Sequence, residues 1–521
     1  MKGGYNNKNV DYSPYGSSNN NKPLFPFPKL MVSFILFLSL VYFLYTVTLF
    51  FHPSISCHHH QITTTTTTST LLLSNNSTSS SLPLPSRRHR SPPPPPPPSP
   101  PTPTSLRHIV FGIAASSSLW DRRRDYIKLW WRPSQMRGFV WLDKPVKESR
   151  YRSSSSGLPV LKISADTSKF PYTHRQGSRS ALRISRIVSE TFRLSLPDAR
   201  WFVMGDDDTV FLPDNLLRVL SRLDHTQPYY VGSLSESHLQ NIFFSYGMAY
   251  GGGGFAISLP LARSLSKMQD SCLHRYPALY GSDDRIQACM AELGVPLTRH
   301  PGFHQYDVYG DLLGLLSAHP VAPLVSLHHL DVVEPIFPGL PRPRALKRLF
   351  DGPVRLDPAG VMQQSICYDR TRRWTVSVSW GFAVQVVRGV MSPREMETPA
   401  RTFLNWYKRA DYTAYAFNTR PVARNPCQKP HVYYLSSARL DRRANTTVTQ
   451  YARHKDKHPT CRWRLPDPAA LFDEVVVYKR PDPLLWERSP RRNCCRVLPK
   501  EGRRSLNVDV GVCREGEISE A

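Results

Sequence analysis

The sequence predicts an α/β domain built on a mostly parallel sheet, preceded by one membrane helix and followed by a β-rich extension braced by disulfides. Three observations carry this expectation. An uncharged apolar run lies near the N-terminus, short apolar runs alternate with amphipathic ones from about Leu106, and six cysteines gather from Cys367 onward. A chain of 521 residues exceeds what one core usually supports, so two packed units with appendages are expected.

The run Leu30–Phe51 is long enough to cross a bilayer as a helix. Lys2, Lys8, Lys22 and Lys29 precede it, which places the N-terminus in the cytosol and everything after it in a lumen. It is too long, and lacks the small-residue cleavage site, for a removed signal peptide. A Thr run at Thr63–Thr68 and the proline run Pro92–Pro98 follow. They offer too few apolar side chains to offset the entropy of ordering, and read as an extended stalk. Asn75, Asn76 and Asn445 begin glycosylation sequons, in keeping with a lumenal chain.

The globular texture begins at HIVFGIAA (His108–Ala115), a buried strand opening into Ser116-Ser117-Ser118. WDRRRDYIKLWW (Trp120–Trp131) has helical apolar spacing, GFVWLD (Gly138–Asp143) and PVLKIS (Pro159–Ser164) read as strands, and Arg179–Leu194 as a long amphipathic helix. WFVMGDDD (Trp201–Asp208) then ends a strand in three acids. Strands alternating with helices predict a parallel sheet that binds its ligand at the strands' C-terminal ends, where the acids fall. The formal charge of +27 is spread along the chain. It reads as a solvated basic surface, with attraction to anionic ligands as the alternative, and a lumenal chain is not expected to meet nucleic acid.

Asp206, Asp207 and Asp208 repel one another unless a cation or an array of donors sits among them. Their oxygens suit a hard divalent ion that could bridge a diphosphate and neutralise a leaving group. Gly251–Gly254, in YGMAYGGGGFAIS, read either as a flexible turn or as a loop letting backbone approach a ligand. Asp283 and Asp284 open an amphipathic stretch running to Leu293. They fit a helix cap and a catalytic base equally well. His304 lies in the aromatic segment PGFHQYDVYGD. Of nine cysteines only Cys57 lies near the membrane, and none of the others has paired zinc spacing. An oxidising compartment with several disulfides, chiefly in the C-terminal region, is expected.

Taken in order, FGIAASSSLWDRRRDYIKLWWRP, WFVMGDDDTVFLPDNL, YGGGGFAIS, YGSDDRIQACMAELGVPLTRHPGFHQYDVYGD and LHHLD (Leu327–Asp331) resemble glycosyltransferase family 31, most closely its plant Fringe-related branch, the DUF604 group. The resemblance covers about Leu106–Gly339. It implies a GT-A-type, Rossmann-like domain in a single-pass type II Golgi membrane protein. The implied activity is inverting transfer of a hexose or N-acetylhexosamine from a UDP-sugar to a glycan or glycoprotein acceptor, mainly as β1,3 bonds. The implied cofactor is Mn²⁺, with Mg²⁺ as the alternative. The resemblance puts the metal on Asp208, with His304 as its histidine and Asp206 beside it, and turns Asp206 and Asp207 toward the nucleotide and sugar. It makes Asp284 the general base, ahead of Asp283. Gly252, Gly253 and Gly254 would line the sugar pocket, Ser116 and Ser117 would sit near the nucleotide, and Arg186 near the diphosphate or base. The cysteine pattern of animal Fringe is absent, so its acceptor specificity does not carry over.

The expected organisation is a cytosolic tail (1–29), a signal anchor (30–51), a stalk (52–105), a catalytic domain (106–340) and a C-terminal extension (341–521). Within the extension, Arg372–Met391, HVYYLSSA and LFDEVVVYKR alternate as strands do. It is expected to pack on the catalytic domain, either to steady it or to select the acceptor. The rival reading of the whole is a catalytically silent glycan- or nucleotide-binding protein that keeps the fold.

Overall fold

The computed structural model describes residues 28–51, 102–146, 157–411, 413–455, 461–462, 464–499 and 504–517. The polyproline stalk, Cys57 and the sequons at Asn75 and Asn76 lie outside them. Pro28–Phe51 forms a helix, α1, of 24 residues, whose side chains described from Phe34 to Leu44 are all exposed. Counting only described residues, no helix is long and apolar enough to cross a membrane.

The first sheet of the globular unit is built from β1 (Ile109–Ala114), β2 (Arg137–Leu142), β3 (Val160–Ile163), β4 (Trp201–Asp206), β6 (Tyr230–Gly232), β7 (Phe255–Ser258) and β8 (Leu297–Arg299); the short β5 (Val210–Phe211) lies apart. The strand order is β3-β2-β1-β4-β7-β6-β8. β3, β2, β1 and β4 run parallel, β7 runs antiparallel between β4 and β6, and β8 is parallel to β6. All six residues of β1 are buried, as expected for a strand covered on both faces. Five helices matter to the site: α2 (Trp120–Trp130), α3 (Ser180–Arg193), α5 (His238–Phe243), α6 (Leu259–Arg275) and α7 (Asp283–Glu292), with α4 (Pro213–Ser221) between α3 and α5. The apolar stripe of α3, including Leu182, Ile187 and Val188, is buried, and the Cys272–Cys289 disulfide ties α6 to α7. The strands and helices read from the sequence up to Asp206 thus recur, with ends shifted by a residue or two.

Two short pairings follow, β10 (Ser326–Leu327) on β5 and β14 (Phe403–Asn405) on β9 (Val308–Gly310). The extension itself is an eight-stranded sheet: β11 (Gln364–Asp369), β12 (Trp374–Ser379), β13 (Ala383–Arg388), β15 (His431–Asp441), β16 (Thr446–Arg453), β17 (Glu474–Lys479), β18 (Cys494–Val497) and β19 (Ser505–Gly511). Its order is β11-β12-β13-β15-β16-β17-β19-β18. Disulfides Cys367–Cys495, Cys427–Cys461 and Cys494–Cys513 staple it. The adjacent Cys494 and Cys495 point to opposite faces of β18, which is how each finds a different partner. One hydrophobic cluster holds Phe111 and Phe211 together with Val376 and Tyr433, so the extension shares its core with the first sheet.

Candidate functional site

The register of β1 on β4 pairs Ala114 with Asp206, which brings the Ser116 loop beside the acids. Thr209 closes the acidic turn. Its Oγ1 accepts the Asp206 amide at 2.7 Å and donates to the Gly252 carbonyl at 2.7 Å, tying the acids to the glycine loop.

Three neighbouring carboxylates need compensation, and half of it comes from Arg123 on α2. This buried guanidinium reaches Asp207 at 2.9 Å, Asp208 at 2.9 Å and Asp331 at 2.8 Å. Burial pulls the Arg123 pKa down, but Asp208, Asp207 and Asp331 outweigh it and leave it raised. The Ser116 amide gives Asp207 a further bond at 3.3 Å. Asp207 is fully buried, and burial raises its pKa.

The other half faces His328. Its Nε2 lies 3.2 Å from Asp208 Oδ1 and 4.0 Å from Asp206 Oδ2, and one ligand atom from each of the three residues lies within 4.8 Å of the others. His328 Nδ1 is 3.0 Å from Gln305 Oε1. That oxygen can only accept, so Nδ1 carries the proton and Nε2 turns its lone pair toward the carboxylates. Lone pairs converging from three sides are what a cation satisfies, and two carboxylates with one imidazole can hold a divalent ion. Glycine at 252 makes the arrangement fit: a Cβ there would stand 2.1 Å from His328 Cε1.

Asp206, Gly252 and His328 line a cavity of about 330 Å³ together with Asp283, Asp284 and Gln305. Both acids of α7 therefore reach the chamber that Asp206 and His328 line. Asp284 accepts the amides of Tyr280 at 2.8 Å and Gly281 at 3.0 Å, which fixes its carboxylate at the helix N-terminus. Asp283 takes the Ser282 hydroxyl at 3.0 Å. Burial, with Asp206 adding to it, pushes Asp283 up to about 7, and burial also raises Asp284.

Several expected placements are not met. His304 is not in the acid cluster. Its Nδ1 lies 2.9 Å from Glu236 Oε1 and its Nε2 2.9 Å from His319 Nε2, and His328 occupies the position expected of it. Arg186 is held by Asp270 at 3.0 Å and Glu190 at 3.2 Å, with its guanidinium over Phe170, so it faces α6 and its own helix rather than a diphosphate. Asp207 is turned away from the cavity by Arg123. Of the glycines, Gly252 lines the cavity. Gly253 packs on the His304 backbone, and Gly254, at φ +84°, on Phe211. Ser116 and Ser117 do stand at the end of β1, the second with its amide on Asp143 at 2.7 Å. Arg123, His328 and Asp331 are the residues that sequence reasoning did not single out, although each lies inside a quoted motif.

The profile described as "Fringe-like" matches residues 105–320, and the one described as "Protein of unknown function, DUF604" matches residues 240–495. A mouse beta-1,3-glucosyltransferase is 35% identical over 141 residues, 26% of this chain and 26% of the relative. The human beta-1,3-glucosyltransferase is 32% identical over 119 residues, 23% of each chain. Mouse N-acetyllactosaminide beta-1,3-N-acetylglucosaminyltransferase 2 is 28% identical over 129 residues, 22% of this chain and 32% of the relative. The matches thus span about a quarter to a third of these relatives' length. With the acids, the glycine loop and the α7 carboxylates all inside the matched region, the chain belongs to the Fringe-related glycosyltransferases of family 31.

Proposed function

We propose that the chain is a metal-dependent, inverting glycosyltransferase with a GT-A-type fold. It would move a hexose or N-acetylhexosamine from a UDP-sugar to a glycan hydroxyl, as a β1,3 bond. The observation that carries this reading is one cavity lined by Asp206, His328, Asp283 and Asp284, with the buried Asp208 completing the ligand cluster of Asp206 and His328. The sugars in the relatives' names, glucose and N-acetylglucosamine, agree with that donor class.

Asp206, Asp208 and His328 would hold the Mn²⁺, which when bound supplies positive charge to the diphosphate oxygens. Arg123, 2.9 Å from the Asp208 carboxylate, holds it in place. The Asp284 carboxylate, fixed by two amides, takes the proton of the acceptor hydroxyl. As the acceptor oxygen bonds to the anomeric carbon, the bond from that carbon to the β-phosphate oxygen breaks on the opposite face. The electron pair leaves with UDP, and the configuration inverts. The four disulfides support a secretory lumen. The uncharged run Leu30–Phe51, preceded by Lys2, Lys8, Lys22 and Lys29, is the sequence ground for a type II signal anchor and hence a Golgi membrane setting.

The test is UDP release by the full chain over a panel of UDP-sugars, with Mn²⁺ and with chelator. Release with one sugar, abolished by chelator and by Asp208→Ala, is expected. Asp284→Asn should lower kcat by about 10²–10⁴-fold while UDP affinity holds, with a smaller loss in Asp283→Asn. Mn²⁺-dependent UDP binding without release from any sugar would establish the silent binding protein instead.

A further inference from the structure

The extension does more than share a core with the catalytic half. Residues 403–411 and 413–417 lie across its face, stitched on at two places. β14 pairs with β9. Farther along, the His238 amide donates to the Ala414 carbonyl at 2.9 Å and the Ala416 amide to the Glu236 carbonyl at 3.2 Å. Between the stitches stand Trp406 and Tyr407.

Trp406 is clamped between Tyr309 (4.8 Å, 2° between planes) and His329 (5.1 Å, 3°), and His329 lies 4.0 Å from His328. The stack therefore runs from the extension to the metal-ligand histidine. Tyr407 turns the other way and meets Phe243 of α5 edge-on at 5.5 Å. Phe243 is 64% exposed, and Ile242 and Tyr246 beside it are also exposed. The next residue, Phe244, lines the cavity and packs on Tyr280 at 5.7 Å, itself a wall of the cavity. The pair Phe243 and Tyr407 thus adjoins, through Phe244 as the next residue, the wall of the chamber that Asp284 lines.

An exposed phenyl ring is costly to hydrate, and its continuity with a polar reaction chamber limits what would cover it. A flat peptide or lipid surface would not need the carboxylates behind it. A pyranose ring has one face of C–H groups to lay on an aromatic ring and a rim of hydroxyls to reach inward. We propose that Phe243 and Tyr407 form the acceptor subsite of this enzyme, a ledge on which a pyranose of the acceptor glycan stacks, so that the C-terminal extension takes part in choosing the acceptor. Trp406 is a positioning residue in this arrangement, bracing His329 against His328. The inference rests on the transferase reading above and extends it to the acceptor side.

The test is calorimetric titration of the full chain, saturated with Mn²⁺ and UDP, with cellotetraose, xylotetraose, β-galactotetraose and N-acetyllactosamine. At least one should bind, and Phe243→Ala and Tyr407→Ala should each weaken it by about tenfold or more. Tyr407→Phe, which keeps the ring, should stay near the parent value, as should the UDP affinity of all three variants. Unchanged glycan affinity in both alanine variants overturns the ledge. So does failure of all four glycans to bind while UDP binds normally. Failure of UDP itself to bind the parent chain overturns the donor reading, and this inference with it.

Discussion

Two buried histidine clusters lie on either side of the segment His304–Asp307, and they are built on opposite principles. On one side His328 faces Asp206 and Asp208, with Arg123 behind them. That cluster is charged, and its lone pairs converge on a point. On the other side His304 joins Glu236 to His319. His319 Nδ1 faces the Pro320 carbonyl at 2.8 Å, which can only accept, so that nitrogen carries the proton. Burial holds both histidines neutral, His304 down to about 3. His319 Nε2 therefore accepts from His304 Nε2, and the bare His304 Nδ1 accepts from a protonated Glu236. Burial, with Asp307 adding to it, raises Glu236 well above the usual range. This cluster is a closed chain of neutral hydrogen bonds with no place for a cation. Two sites made of the same residue types thus differ in whether their lone pairs are spent on one another.

The charged side should break hardest. Arg123→Met leaves Asp207 and Asp208 buried beside each other without their guanidinium. A loss of about 3–5 kcal/mol is expected from denaturant unfolding, and added Mn²⁺ should restore part of it by binding the folded form. A loss below about 1 kcal/mol would mean that Arg123 is not what offsets these carboxylates.

The histidines themselves sharpen the contrast. His328→Ala should weaken Mn²⁺ binding by about 10–100-fold in a calorimetric or spin-resonance titration. His304→Ala should leave that affinity nearly untouched and lower stability by about 1–3 kcal/mol, since Glu236 and His319 each lose a buried partner. The opposite pattern would return His304 to the metal.

That the sequence pointed to His304 has a physical explanation. Contacts alternate along the segment: His304 and Tyr306 stack on each other at 5.2 Å, while Gln305 meets His328 and Asp307 meets His329. Successive residues of an extended segment face opposite ways, so a motif located to within one residue does not say which side its histidine serves. The periodicities up to Asp206 were legible because strand and helix spacing are local, and the acids at the end of β4 followed from them. His328 was not, because its nearness to Asp208 depends on β10 pairing with β5, a contact between distant parts of the chain. Arg123 was hidden differently: it stands among three consecutive arginines, and only the register of α2 selects the one facing inward. In the extension, the hairpin of β12 and β13 showed its alternation. The parallel partnership of β17 with β19 leaves no local trace.

The smallest effect concerns protons. Unfolded, the ordinary values of 4.5 for a glutamate and 6.5 for a histidine apply. Folded, the Glu236–His304 pair holds one proton, on Glu236, at every pH from about 3 up to the raised pKa of Glu236. Between 4.5 and 6.5 the unfolded pair also holds one, on His304, so this pair adds no pH dependence there. Above 6.5 the unfolded pair holds none, and folding must take up a proton. Stability from this pair then falls as pH rises, by about 1.4 kcal/mol per unit, until Glu236 ionises in the folded state. Below 4.5 the unfolded pair holds two protons, and stability falls again as pH drops. Glu236→Gln keeps a donor for His304 Nδ1 but cannot ionise. In a plot of unfolding free energy against pH, that variant should lose the alkaline decline and begin its acid decline already below 6.5, because His304 alone then takes up a proton on unfolding. An alkaline decline of equal slope in both proteins would mean that Glu236 is ionised in the fold and that the second cluster is a charged one after all.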